Sequence, residues 1–137
     1  MPVVNIHLTE GTGTAADHAE LLAEATRIYC EVLDAPVERV RAYLTVHPAE
    51  RWATAGRLVS HGGTPAPFFT AIVFADRSAD QRHRLLVGFT DLIVKLCDVD
   101  RSTVRGQIVP VDPSDWGIGG EPASVKRAAE IAARAGG

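Results

Sequence analysis

The chain opens Met1-Pro2-Val3, and an initiator Met before a residue as small as proline is normally removed, which leaves Pro2 with a free amine. An internal proline is an amide with neither N–H nor basicity, whereas an amino-terminal proline is a secondary amine that accepts and returns a proton. Burial beside cations lowers the pKa of such an amine toward neutrality, because desolvation and positive neighbours both disfavour the ammonium form. Pro2 is therefore a candidate general base. Three arginines qualify as partners for an acidic substrate. Arg77 stands just before a helix start, where free N–H groups favour an anion, and its planar guanidinium suits a carboxylate. Arg41 and Arg105 occupy matching positions on two strands and supply a further cationic contact within one chain or across a subunit boundary. Trp116 opens the turn Trp116-Gly117-Ile118-Gly119-Gly120; its indole offers an apolar wall, and the glycines admit a neighbouring backbone.

These residues need a scaffold, and periodicity supplies one. Pro2 to Leu8 is apolar and β-branched, ending in a Gly-Thr-Gly-Thr turn. Thr14 with Asp17 reads as a helix N-cap, and Leu21, Leu22, Ala25, Ile28, Tyr29, Val32 and Leu33 recur on one face of a helix from about 15 to 33. Val40 to Val46 is a second strand. The βαβ pattern then repeats: a strand over Pro67 to Ala75, a capping box at Ser78 to Gln81, a helix with Leu85, Leu86, Phe89, Ile93, Leu96 and Cys97 on its apolar face, and a strand over Thr103 to Val111. Asp34, Val40, Arg41, Trp52, Gly56 and Ser60 meet Asp98, Val104, Arg105, Trp116, Gly120 and Ser124 at one constant offset, and at an offset one larger Pro2 meets Pro67 and Thr12 meets Arg77. Such self-similarity is a fold-level signal. Right-handed crossovers then give an α+β fold of tandem βαβ units, with a four-stranded mixed sheet and both helices on one face. The bare face is apolar enough to predict self-association. Residues 1–137 form a single domain of two repeats, about 2–60 and 67–124, joined by a Gly/Pro-rich linker and followed by an Ala-rich tail that is either frayed or packed at an interface.

Composition narrows the classes. At 137 residues with 46% hydrophobic and 23% charged residues and a net charge of −3, the chain buries about two-thirds of its unfolded surface and has no electrostatic motive for nucleic acid. No signal-like start or membrane-length apolar run occurs. Cys30 and Cys97 fall on apolar helical faces as free thiols, which fits a reduced, cytoplasmic protein. The five histidines, His7, His18, His47, His61 and His83, show no metal-ligand spacing, so neither a metal nor another cofactor is expected. GxxxxGK[ST] and GxSxG signatures are absent.

Pro2 with PVVNIHLTEG and LDAPVERVRAYLT, then FADRSADQ, STVRGQI and DWGIGGEPAS, resembles the tautomerase superfamily over about residues 2–124. The likeness is to its 4-oxalocrotonate tautomerase-like branch and its fused two-unit members, related to cis-3-chloroacrylic acid dehalogenase and malonate semialdehyde decarboxylase. The resemblance implies a βαβ fold, a homotrimer, a role in aromatic degradation and a cofactor-free site for a small carboxylate. Pro2 is then the base, Arg77 the loop arginine that binds a carboxylate, and Arg105, with Arg41 as counterpart, the strand arginine that polarises an oxygen. Trp116 lines the site, and Asp115 falls near the dehalogenase carboxylate that orients water. Thr12 replaces the loop arginine of the first copy, so one site per chain is expected. Tyr29 stands where the dehalogenase has a helix histidine, Ala75 where the decarboxylase has a second loop arginine, and Glu38 only near that enzyme's aspartate. The missing groups favour proton transfer over hydration or decarboxylation; a non-catalytic carboxylate-binding trimer is the remaining alternative.

Overall fold

The computed structural model describes residues 1–136. Each half starts with a strand whose alternate residues are apolar: β1 (Val3–Thr9) and, later, β5 (Phe68–Phe74). A 19-residue helix follows each, α1 (Ala15–Leu33) after β1 and α2 (Ala79–Cys97) after β5. The capping box expected at Ser78 is present, and the N-cap expected at Thr14 is also a full capping box. The side chains of Thr14 and Ser78 accept from the N–H groups of Asp17 and Gln81, whose side chains bond back to the cap, a motif in which each cap contributes about 1 kcal/mol. Both helices stop at an aspartate in the left-handed region, Asp34 and Asp98 at φ 52°, where a short polar side chain is better tolerated than most. The returning strands are β2 (Arg41–His47) and β6 (Arg105–Val111). Small hairpins follow each: β3 (Ala53–Thr54) with β4 (Arg57–Leu58), and β7 (Gly117–Ile118) with β8 (Glu121–Pro122). The chain closes with a single turn, α3 (Ala123–Lys126), and a helix, α4 (Ala128–Gly136).

The strands form one sheet in the order β2-β1-β5-β6. β1 pairs parallel with β2 and β5 parallel with β6, while β1 and β5 meet antiparallel at the centre, Val3 opposite Ile72 and His7 opposite Phe68. The two βαβ units are thus related head to tail, and both long helices cover one face. That face carries the core: Val4, Ile6, Leu8, Phe69, Ala71 and Val73 from the sheet against Leu21, Ala25, Tyr29, Leu85, Phe89 and Ile93 from the helices. Tyr29 is completely buried, and its hydroxyl reaches the carbonyl oxygens of Val3 (2.9 Å) and Ile72 (3.2 Å). One side chain therefore fastens the central strand pair next to the amino terminus, and burial pushes the pKa of its phenol far up. The opposite sheet face presents Val3, Asn5, His7, Tyr43, Thr45, Phe68, Thr70 and Ile72 half-buried or exposed, with no element of the chain packed over it among the described residues.

Of the two expectations for the carboxyl-terminal tail, a frayed segment is not what the structure shows: the tail forms the helix α4. Arg39 holds Glu130 through two bonds of 2.8 and 3.0 Å, and Arg134 holds Asp76 at 2.7 and 3.4 Å while its guanidinium stacks 5.9 Å from the Phe74 ring centre. The Arg134–Asp76 pair is only 26% and 25% exposed, so it is less screened than an ordinary surface pair. Alanine content alone would allow fraying; these long-range pairs pin α4 to its own chain.

Candidate active site at the start of the first strand

Because β1 and β5 run in opposite directions, the start of β1 lies beside the ends of β5 and β6. Two adjoining cavities, of about 500 and 560 Å³, open at this end of the sheet. The first is lined by Pro2, Arg77, Gln81, Glu130 and Arg134, the second by Arg41, Glu38 and Trp116, and Met1, Arg39, Ile118 and Arg127 border both. Most of these side chains are cationic or apolar, a combination that selects a small anion and keeps it partly dry.

Pro2 is buried and its carbonyl accepts from the Arg41 N–H at 2.9 Å, which continues the β1–β2 ladder by one rung and fixes the residue at the cavity floor. Arg77 leaves β5 through a tight turn closed by its own N–H on the Phe74 carbonyl at 3.1 Å. Its guanidinium then donates to the Leu33 carbonyl at 2.9 Å, at the carboxyl end of α1 where helical carbonyls lack intrahelical partners. Gln81 ties the same two elements together, accepting from the Ser78 N–H at 3.0 Å and donating to the Val32 carbonyl at 3.3 Å. Arg77 is thus held between the end of one helix and the beginning of the next. Burial, and then the neighbouring Arg134, lower its pKa from the usual arginine value, and it remains a cation at any working pH.

The electrostatic effect on the amino terminus is large. The α-amine on Met1 has its pKa lowered from 8.0 to about 6, by burial first and then by Arg41, Arg39 and Arg127. The same burial and the same cations act on the neighbouring Pro2 position and disfavour a protonated amine there.

The remaining predicted residues divide. Arg41 flanks Pro2, with its guanidinium on the Glu38 carbonyl at 3.1 Å. Trp116 sits half-buried at the head of the β7–β8 hairpin, where its carbonyl accepts from Ala123 at 2.8 Å. Arg105 lies at the opposite end of the sheet: its N–H bonds to the Pro67 carbonyl at 3.0 Å and its guanidinium to the Ser102 carbonyl at 2.6 Å. The head-to-tail arrangement separates it from Pro2 within one chain, so the catalytic placement expected for Arg105 is not met inside the protomer. Asp115 is exposed and borders neither cavity, because the turn Pro113–Asp115 points its side chain outward while Trp116 turns in. Tyr29, at the position of a helix histidine in the dehalogenase pattern, is committed to the backbone below the site.

Four lining residues escaped sequence reasoning: Arg39, Arg127, Glu130 and Arg134. Only a spacing of three and seven residues in the tail, Arg127, Glu130, Arg134, hints that they share a helical face. No group of three or more His, Cys, Asp or Glu side chains able to hold a metal ion occurs among the described residues.

Residues 2–62 match the family model described as tautomerase enzyme. No curated protein matches the chain by sequence. Among solved structures, a native fused 4-OT is 30% identical, with 90% of this chain and 97% of that one covered at a TM-score of 0.83. A wild-type fused 4-OT described as an asymmetric trimer is 27% identical over 90% and 98% of the two chains, at 0.81. A member of the cis-3-chloroacrylic acid dehalogenase family, 15% identical over 98% and 99%, shares the fold at 0.75. With its two βαβ units, its mixed sheet and this likeness across nearly the whole chain, the protein belongs to the tautomerase superfamily as a fused, two-unit member.

Proposed function

We propose that the protein is a cofactor-free keto–enol tautomerase of 2-hydroxy-dienoates or related 2-oxo acids, with Pro2 as general base after removal of Met1. The observation that carries this reading is the position of Pro2, buried in the lining of a cavity walled by arginines, where burial and cationic neighbours disfavour a protonated amine. The neutral Pro2 nitrogen takes the enol hydroxyl proton, the oxygen's electron pair closes a carbonyl, and the double bonds shift. The prolyl ammonium then returns the proton to the carbon at the far end of the conjugated system. Arg77 holds the carboxylate, and Arg41 stabilises negative charge developing on the enol oxygen. Trp116 and Ile118 keep water from the amine. Asp115 lies outside the cavities and Tyr29 below them, which favours proton transfer over the hydratase, dehalogenase and decarboxylase alternatives.

The half-exposed sheet face, with Tyr43 49% exposed, and the trimeric fused relatives support assembly as a homotrimer, the setting in which Arg105 would have to act across a subunit boundary. Cys30 and Cys97 are free thiols, in keeping with a cytoplasmic setting, and no described helix is long and apolar enough to cross a membrane.

The test follows ketonisation of 2-hydroxymuconate by ultraviolet absorbance, with protein whose mass confirms loss of Met1 and a Pro2→Ala control. Fast turnover that disappears in the control supports Pro2 as base. Equal, slow rates for both proteins overturn the assignment and leave hydration, decarboxylation or carboxylate binding without turnover.

A further inference from the structure

The cationic wall at Pro2 contains five guanidinium groups, and four of them are bonded to the protein: Arg39 to Glu130, Arg134 to Asp76, Arg77 to the Leu33 carbonyl and Arg41 to the Glu38 carbonyl. Arg127 differs. Its backbone is fixed, its N–H reaching the Ala123 carbonyl at 2.7 Å and its carbonyl receiving the Ile131 N–H at 3.0 Å. Its side chain is half-buried, borders both cavities, and makes no hydrogen bond or ion pair among the described residues. A partly desolvated guanidinium with all its donors open, aimed at a cavity that already holds the candidate base, is a built receptor for a carboxylate. Its place is also secured from both sides, since α3 precedes it and α4, clamped by the Arg39–Glu130 and Arg134–Asp76 pairs, follows it.

We propose that Arg127 is a substrate-binding residue of the Pro2 site, contacting the carboxylate of the bound acid, and that the carboxyl-terminal helix serves to present it. This rests on the reading of the Pro2 end as a carboxylate-handling site, but not on turnover there. Arg127 and Arg39 both face the two cavities, yet Glu130 already occupies Arg39 in a bidentate pair, so Arg127 offers the open fork. Its charge also reaches the amino terminus, where it is one of the cations that depress the amine.

The experiment measures calorimetric dissociation constants for 2-oxopentanoate and for its uncharged amide on the wild-type, Arg127→Ala and Arg127→Lys proteins, with thermal melts to confirm that each is folded. The wild type should bind the acid more tightly than the amide. Arg127→Ala should weaken the acid about tenfold or more, the usual size of a lost charge-assisted bond, and leave the amide unchanged; Arg127→Lys should recover part of the loss. Equal affinity of wild type and Arg127→Ala for the acid overturns the proposal. So does a parallel loss for acid and amide, which marks a displaced tail, and so does failure of the wild type to prefer the acid. Turnover with 2-hydroxymuconate is followed separately: an inactive wild type that still shows the charge-dependent binding refutes the tautomerase reading and leaves Arg127 standing.

Discussion

At one end of the sheet the Arg41 N–H meets the Pro2 carbonyl at 2.9 Å; at the other the Arg105 N–H meets the Pro67 carbonyl at 3.0 Å. The correspondence continues through the loops. Thr12 N–H closes on Thr9 as Arg77 N–H closes on Phe74, both at 3.1 Å, and Val59 and Ala123 bond to the carbonyls of Trp52 and Trp116 at 2.9 and 2.8 Å. Backbone for backbone the ends are alike, and side chain for side chain they are not. Thr12 spends its hydroxyl on Thr9 in a buried pair at 3.0 Å, where its counterpart presents a cation. Pro67 lies inside a peptide chain and has no amine. The Pro67 end carries instead an aromatic cluster in which His47 stacks on His7 and meets Trp52 edge-on, each at 5.1 Å. A helix like α4 follows only the second unit. The two units share one scaffold, and on the proposed reading only one of its ends carries the site.

The sharpest way to test that division is to treat the two prolines alike. Pro2→Ala should lower kcat/KM by roughly a hundredfold or more, the usual scale of general acid–base catalysis, whereas Pro67→Ala should lower the melting temperature and leave kcat near its starting value. Exchanging the loop residues comes next. Arg77→Ala should raise KM about tenfold to a hundredfold through the lost charge-assisted contact, while Thr12→Arg should create no second activity and should destabilise the fold by burying an unpaired cation; steady-state kinetics and denaturant titration separate the two effects.

The core offers a third comparison. Phe69 is paired with Gly106, and a Cβ on Gly106 would stand 2.1 Å from the Phe69 ring. The corresponding pair in the first unit is Val4 with Ala42, so the larger strand residue is matched by the smaller partner. Phe89 packs edge-on against Phe69 with ring centres 5.6 Å apart and blocks its retreat. Gly106→Ala should therefore cost about 1–3 kcal/mol by overpacking, and Gly106→Ala with Phe69→Val should recover part of it in chemical denaturation.

The smallest effect concerns pH. Burial, then the neighbouring His47, lower the pKa of His7 from 6.5, and their ring nitrogens are 2.9 Å apart. A histidine that is harder to protonate folded than unfolded leaves stability unaffected above 6.5. As pH falls below that value the unfolded chain gains a proton the folded chain resists, so stability declines until His7 titrates in the fold. Denaturant midpoints between pH 7.5 and 5 should fall, and His47→Ala should flatten the decline.

What the sequence made legible was what repetition and local rules encode. The caps at Thr14 and Ser78 came from three-residue spacings, the strands came out within a residue or two from short apolar, β-branched runs, and the unequal pair Thr12 and Arg77 emerged because a duplicated frame exposes a difference. Arg39 stayed hidden for the same reason: the residue at its offset is Thr103, so no repeat drew attention to it, and its partner Glu130 lies 91 positions away. Long-range ion pairs leave no periodic trace. Arg105 was placed by its likeness to Arg41, and only the antiparallel meeting of β1 with β5 revealed that like positions in the two units lie at opposite ends of the molecule.

Pro2 and the residues from Arg127 to Arg134 come from opposite ends of the sequence and line one cavity. During synthesis the first unit emerges long before the last helix, and domains begin to fold from the amino end. An aminopeptidase therefore meets Met1 at the start of β1 before the residues from Arg127 to Arg134 have been made, and at a walled recess once they line the cavity. On the proposed reading, the last helix to be made closes the wall around the first residue to be made, so removal of Met1 before that closure meets the least obstruction.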